Sequence, residues 1–182
     1  IEEMARAAKR LGLEYIAITD HTRDLAMAKG SDEKKLAQQV AEIGRLNRKL
    51  SGFRILTGAE VNVRRDGTLD VSDAALARLE VVGAAVHSLF GQPREEATRR
   101  VIRALENPHV DVLFHPTARQ IGRRAPMDLD IDAVIAAAKR TGTVLEIDAI
   151  PDRLDLKDEY VRKAVEARVP LVIDPDAHDP SH

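Results

Sequence analysis

No cysteine occurs in the chain, so disulfides and thiolate metal sites are excluded, and any metal must rest on imidazole and carboxylate. Tryptophan is absent and aromatics reach only 3%, which removes the platforms on which unpaired bases stack. No apolar run approaches the roughly 18 residues of a membrane span, and no signal-peptide pattern is visible. Neither charge dominates: 28 basic against 30 acidic residues leave a net charge of −2, so affinity for a polyanion must be local. These absences point to a cytoplasmic protein without a membrane partner. What is present, 44% apolar and 32% charged residues over 182 positions, suits one soluble domain, 1–182, with a buried core.

Apolar runs and helical periodicities alternate along the chain. Ile1, Met4, Ala5, Ala8 and Leu11 share a helical face that stops at Gly12, and Glu14 to Thr19 reads as a strand ending in Asp20-His21. Ser31 caps a predicted helix with Leu36, Val40, Ile43 and Leu50, followed by a strand from Arg54 to Val63. Ser72 opens a short helix. Val81 to Val86 and Val110 to Phe114 read as strands on either side of a helix with Ala97, Val101 and Leu105. A helix through Val134 and Ala138 closes at Gly142, a strand covers Val144 to Ile147, and Tyr160 to Ala167 is helical before a last strand at Leu171 to Ile173. Strands alternating with helices predict a parallel α/β sheet, either open or closed into a barrel.

The placement of reactive side chains favours the barrel. His21, Glu60, His87, His115, Asp176 and His178 all lie at or just past the C-terminal end of a predicted strand, and in a barrel those ends share one mouth. Imidazole and carboxylate together suit zinc, manganese or iron. A single histidine at a strand end is more often an ordinary hydrogen-bonded loop residue. Glu60 resists that reading, because a buried unpaired carboxylate between Ala59 and Val61 costs several kcal/mol. His109 is the internal control, since it precedes its strand and falls on the opposite rim; the terminal His182 is uninformative. No nucleophile elbow, phosphate loop, dinucleotide fingerprint or H-E-x-x-H motif is present.

These residues carry a resemblance. Ala17-Ile18-Thr19-Asp20-His21-Thr22, Gly58-Ala59-Glu60-Val61, Val86-His87-Ser88, His115-Pro116-Thr117-Ala118-Arg119 and Asp176-Ala177-His178 resemble successive motifs of the PHP (polymerase and histidinol phosphatase) domain. The stretches Asp24 to Gly30, Leu50 to Leu56, Arg103 to Pro108 and Pro151 to Leu156 narrow it to the C-terminal PHP domain of bacterial family X DNA polymerases. The resemblance implies a distorted (β/α)7 TIM-like barrel with two or three divalent ions, manganese for activity and zinc as an alternative. It also implies 3′-5′ exonuclease activity on DNA 3′ ends in repair, with a polymerase domain upstream. Carried over, Glu60 bridges two ions, His87 and His115 complete one, Asp176 serves the other, and His21 and His178 bind the third. Glu60, His87, His115, Asp176 and His178 are thereby the catalytic set, and Asp20 orients a ligand imidazole. Metal-assisted phosphodiester hydrolysis also needs groups on the phosphate oxygens; Arg119, Arg123 and Arg124 in the basic loop are the candidates, with Arg153 a weaker one.

The chain departs from the family pattern in places. The opening H-x-H motif is absent, so the expected fold lacks its first strand, and a terminal helix is expected beyond the last one. Asn62 stands where the family has aspartate; Asp148, Ile150, Pro175 and Asp179 alter two further motifs, and the two aspartates add negative charge near the mouth. Two alternatives stay open: a histidinol-phosphatase-like phosphomonoesterase, against which the polymerase-like stretches argue, and a non-catalytic scaffold, against which the six metal-type residues argue.

Overall fold

The apolar runs form six strands that pair in chain order. The computed structural model describes residues 1–24 and 30–181. Its elements are α1 (Glu2–Arg10), β1 (Tyr15–Ile18), α2 (Glu33–Asn47), β2 (Arg54–Asn62), α3 (Asp73–Leu76), β3 (Val81–Ala85), α4 (Arg94–Leu105), β4 (Val112–Leu113), α5 (Ile131–Thr141), β5 (Val144–Asp148), α6 (Asp158–Glu166) and β6 (Leu171–Asp174). All five neighbouring pairs are parallel, in the order β1-β2-β3-β4-β5-β6. Parallel neighbours require crossovers, and a helix lies in each connection. Residues 25–29, within the polymerase-like stretch Asp24 to Gly30, and His182 lie outside the described residues.

Alternation along the strands divides the core. Ala59, Val61, Val82, Ala84, Leu113 and Leu145 pack against Val101 and Ala104 of α4 and Val134 and Ala138 of α5. On the opposite face Ala85, Val112 and Phe114 form a separate cluster with Val81, Val144 and Val172. Gly83 is needed there: a Cβ on it would lie 1.9 Å from the Phe114 ring.

The sheet is curled. β2 uses Arg54 to Thr57 against β1 and Gly58 to Asn62 against β3, the stagger of tilted strands in barrels. Flat, six strands would set the outer two roughly 24 Å apart, at about 4.8 Å per step. Yet the rings of His21, just past β1, and His178, just past β6, have centroids 5.8 Å apart.

Some boundaries differ from the sequence reading. Asp32 caps α2, accepting from the Lys35 backbone N–H at 2.8 Å. Ser31 is held instead in a bridge to Thr22, its N–H donating to the His21 carbonyl at 2.7 Å. Leu50 falls beyond α2, and α3 is one turn whose N-cap, Ser72, makes no side-chain cap bond. β4 is two residues long: Phe114 still donates its N–H to the Ala84 carbonyl at 3.0 Å, and the chain turns away at His115, φ 28°. Gly142 closes α5 in the left-handed conformation as expected. Among the described residues, no helix is long and apolar enough to cross a membrane.

Candidate metal centre

Glu60 is the point on which the curled sheet converges. Its neighbours Ala59 and Val61 pack in the outer core, so alternation turns the Glu60 side chain to the concave side, where it is 4% exposed. His87 follows β3, His115 follows β4, and His21 is held beside Glu60 by a parallel bridge continuing β1. His87 Nε2 and His115 Nε2 both lie 2.9 Å from Glu60 Oε1, and His21 Nδ1 lies 2.9 Å from Glu60 Oε2. Ligand atoms of His21, Glu60 and His87 fall within 4.8 Å of one another.

This donor set fits a divalent cation. His21 Nδ1, despite its short approach to Glu60, lacks hydrogen-bond geometry, and His115 Nδ1 is likewise buried and unpartnered. Native structures rarely leave buried nitrogens so, except where a function or an ion accounts for them. His115 also holds a positive φ, uncommon for a residue with a side chain and tolerated where the surroundings impose it.

The electrostatics agree with ligation. Burial by itself would raise the Glu60 pKa, but the close approach of the His115, His21 and His87 imidazoles outweighs it and holds the carboxyl well below its ordinary value of 4.5. The Glu60 carboxylate 2.9 Å away raises the His21 pKa against the effect of burial. Burial pushes His87 down, outweighing the pull of Glu60, and so favours the neutral, lone-pair form a metal requires.

Behind the cluster stands a polar network that sequence reasoning did not assign. His87 Nδ1 lies 2.6 Å from Asn62 Oδ1, so the ring donates there and presents its Nε2 lone pair to the centre. Asn62 Nδ2 in turn donates to Asp70 Oδ2 at 3.0 Å, and the Thr22 hydroxyl donates to Asp70 at 2.7 Å. Asp20, expected to orient an imidazole, instead accepts from Gln39 Nε2 at 3.0 Å. The visible clue was Asn62 standing two residues after Glu60, on the same face of β2. Asn62→Ala is expected to weaken metal affinity about 10- to 100-fold by freeing the His87 ring; titration with manganese or zinc checks it, and unchanged affinity would refute the orienting role.

The other expected residues divide into near and far. Asp176, at φ 44°, and His178 reach the edge of the cluster: Glu60 raises the Asp176 pKa after burial does, and His178 Nδ1 lies 2.7 Å from the Asp176 carbonyl. Arg119 donates through Nε to the Arg153 carbonyl at 2.8 Å and through Nη2 to that of Leu154. Arg124 Nε donates to the Ala118 carbonyl at 2.6 Å, with its guanidinium over Phe90. These two arginines therefore fasten the loop after β4, while Arg123 is exposed. Buried Asp155 fastens it too, accepting from the Thr117 backbone and hydroxyl. Arg153 is the basic residue drawn towards the cluster, with Nε 3.2 Å from Asp148 Oδ2 and Nη2 3.8 Å from Asp176 Oδ2. It offsets the charge Asp148 was expected to add, while Asp179 accepts from the Ser181 backbone and hydroxyl. His109 lies ahead of β4, on the far rim.

Comparison with known proteins extends this picture. The chain is 48% identical over 179 residues to DNA polymerase/3′-5′ exonuclease PolX of Bacillus subtilis, a match covering 98% of this chain and 31% of that protein's length. A probable phosphatase of Acetivibrio thermocellus is 33% identical over 189 residues, covering 98% of this chain and 72% of the relative. Histidinol phosphate phosphatase of Lactococcus lactis, solved with zinc, L-histidinol and phosphate, shares the fold with a TM-score of 0.68 at 14% identity, over 100% of this chain and 81% of that one. No protein-family model matches. Because a third of its residues agree with a probable phosphatase across most of that relative's length, and the motifs noted above meet around Glu60, this chain belongs to the PHP family of metal-dependent phosphoesterases.

Proposed function

We propose that this chain is the 3′-5′ exonuclease module of a family X DNA polymerase, hydrolysing terminal phosphodiester bonds of DNA in repair. The observation that carries the reading is the 48% identity to the Bacillus relative over nearly the whole chain, against 33% to the phosphatase. As the chain spans about a third of that relative, a polymerase domain upstream and a cytoplasmic setting belong to the same proposal. So does a barrel of seven strands, one more than the six parallel strands described.

In this reading His21, Glu60, His87, His115, Asp176 and His178 hold two or three divalent ions, manganese for turnover and zinc as the alternative. Bound metal would lower the pKa of water towards neutrality and neutralise the leaving 3′ oxygen. The chain's own contribution is placement. Glu60 supplies the central negative charge, Asn62 sets the His87 tautomer, and Arg153 stands beside Asp176 where a non-bridging phosphate oxygen can compete for its guanidinium. Arg123 is free to meet substrate, and Arg119 and Arg124 shape the loop that presents it.

A phosphomonoesterase is the second reading, favoured by the phosphatase relative and by the histidinol phosphate phosphatase that shares the fold. Incubation with manganese and either a 5′-labelled oligonucleotide or histidinol phosphate separates the two. Mononucleotides released stepwise from the 3′ end support the exonuclease; phosphate release from the monoester alone would overturn it, and neither product would return the chain to a scaffold role.

A further inference from the structure

Past the C-terminal end of β2, and apart from the loop of Arg119 to Arg124, lies a cavity of about 660 Å³. β2 runs from Asn62 into a turn closed by a bridge between Val63 and Leu69, and β3 runs past His87 into residues 88–92. Arg64 and Arg65 of the turn and Arg99, Arg100 and Arg103 of α4 line the space between them. Asp66 and Glu96 are the acids in the lining, and Asp24 pairs with Arg64 from outside it, so cations outnumber acids here on a chain whose overall charge is −2.

The floor of this cavity is built rather than incidental. Arg100 is 2% exposed, and its guanidinium donates to the carbonyls of Val63, Arg64 and Ser88 and to Gln92 Oε1. All four acceptors are neutral. A guanidinium stays protonated, so its charge is satisfied by dipoles without being cancelled and projects into the cavity. Above it, the exposed side chains of Arg65 and Arg99 make no hydrogen bond or ion pair among the described residues. Arg64 meets Asp24 at 3.0 Å and Arg103 meets the Asp66 carbonyl at 3.0 Å, both exposed contacts that an incoming anion can replace.

We propose that this groove holds the backbone phosphates of a nucleic-acid strand whose 3′ end lies at Glu60. The inference rests on the exonuclease reading for the position of that end. Arginine forks match phosphate oxygens two at a time. The lining of the groove begins at Arg64, two residues beyond Asn62, so a strand held there can run on to the centre with a phosphodiester at its tip, which an acidic peptide lacks. With aromatics at 3%, bases have little to stack on. Binding is therefore backbone-driven, indifferent to sequence and sensitive to salt.

The test uses fluorescence anisotropy of a labelled single strand of about 20 nucleotides with the full chain in EDTA, where nothing is cleaved. Arg65→Gln/Arg99→Gln is expected to raise Kd about tenfold and to reduce the slope of log K against log salt by roughly 1.4, two phosphate contacts at about 0.7 each. Arg45→Gln/Arg162→Gln, on exposed positions of α2 and α6, serves as the charge-matched control and leaves Kd unchanged. Equal binding by both double variants overturns the groove, as does displacement by polyglutamate as effective as by unlabelled oligonucleotide. Loss of binding in the groove variant, with wild type cleaving only monoesters, would keep the groove and reject the exonuclease; the reverse pattern would reject the groove alone.

Discussion

Glu60→Gln is expected to lower kcat/KM on the order of 1,000-fold, about 4 kcal/mol of transition-state stabilisation, and to strip most of the bound metal. Glutamine preserves shape and removes charge, and this charge is the one that three imidazoles face at 2.9 Å. Activity with manganese and metal content by mass spectrometry are the readouts; a variant with wild-type metal and rate would refute the central role of this carboxylate. A second effect appears in EDTA. The folded-state pKa of Glu60 lies below 4.5, so its contribution to stability is present above that pH and fades as pH falls through the folded value. Wild type should therefore lose its advantage over Glu60→Gln on acidification.

Glu146→Gln should act with the opposite sign. Glu146 is 3% exposed, and burial, reinforced by the neighbouring Asp174, pushes its pKa up to about 11. It is thus a neutral acid at pH 7, while its Oε2 accepts the backbone N–H of His115. In the unfolded chain it ionises near 4.5, so between about 4.5 and 11 the folded state binds more protons and stability falls as pH rises. The slope approaches about 1.4 kcal/mol per pH unit for one proton, roughly 4 kcal/mol between pH 5 and pH 8. Glutamine has no such proton to hold. Urea unfolding in EDTA at the two pH values should show wild type weakening relative to the variant, and parallel pH dependences would rule out a protonated Glu146.

Much of the centre was legible before any coordinates. A strand's apolar run makes its single carboxylate conspicuous, as at Glu60, and histidines recurring at strand ends point to one mouth once the sheet is parallel. The arginines were legible only as composition. Arg119 and Arg124 looked like phosphate ligands; in the fold each also donates through Nε to a backbone carbonyl, whereas Arg153 is drawn to Asp148 and Asp176. Asn62 read as a departure from a pattern and proves to be the acceptor that orients His87. Ser31 read as the cap of α2; the bridge between Thr22 and Ser31 leaves that position to Asp32.

The order of residues by itself determined the alternation of strand and helix, the choice of imidazole and carboxylate over thiolate, and which end of each strand carries them. These follow from local periodicity and side-chain chemistry. The curl that brings His21 and His178 together, the support of His87 by Asn62 and Asp70, and the gathering of five arginines around one cavity belong to the tertiary structure. Each depends on strand stagger and on competition among distant groups for the same hydrogen bonds, and neither is written in any local stretch of chain.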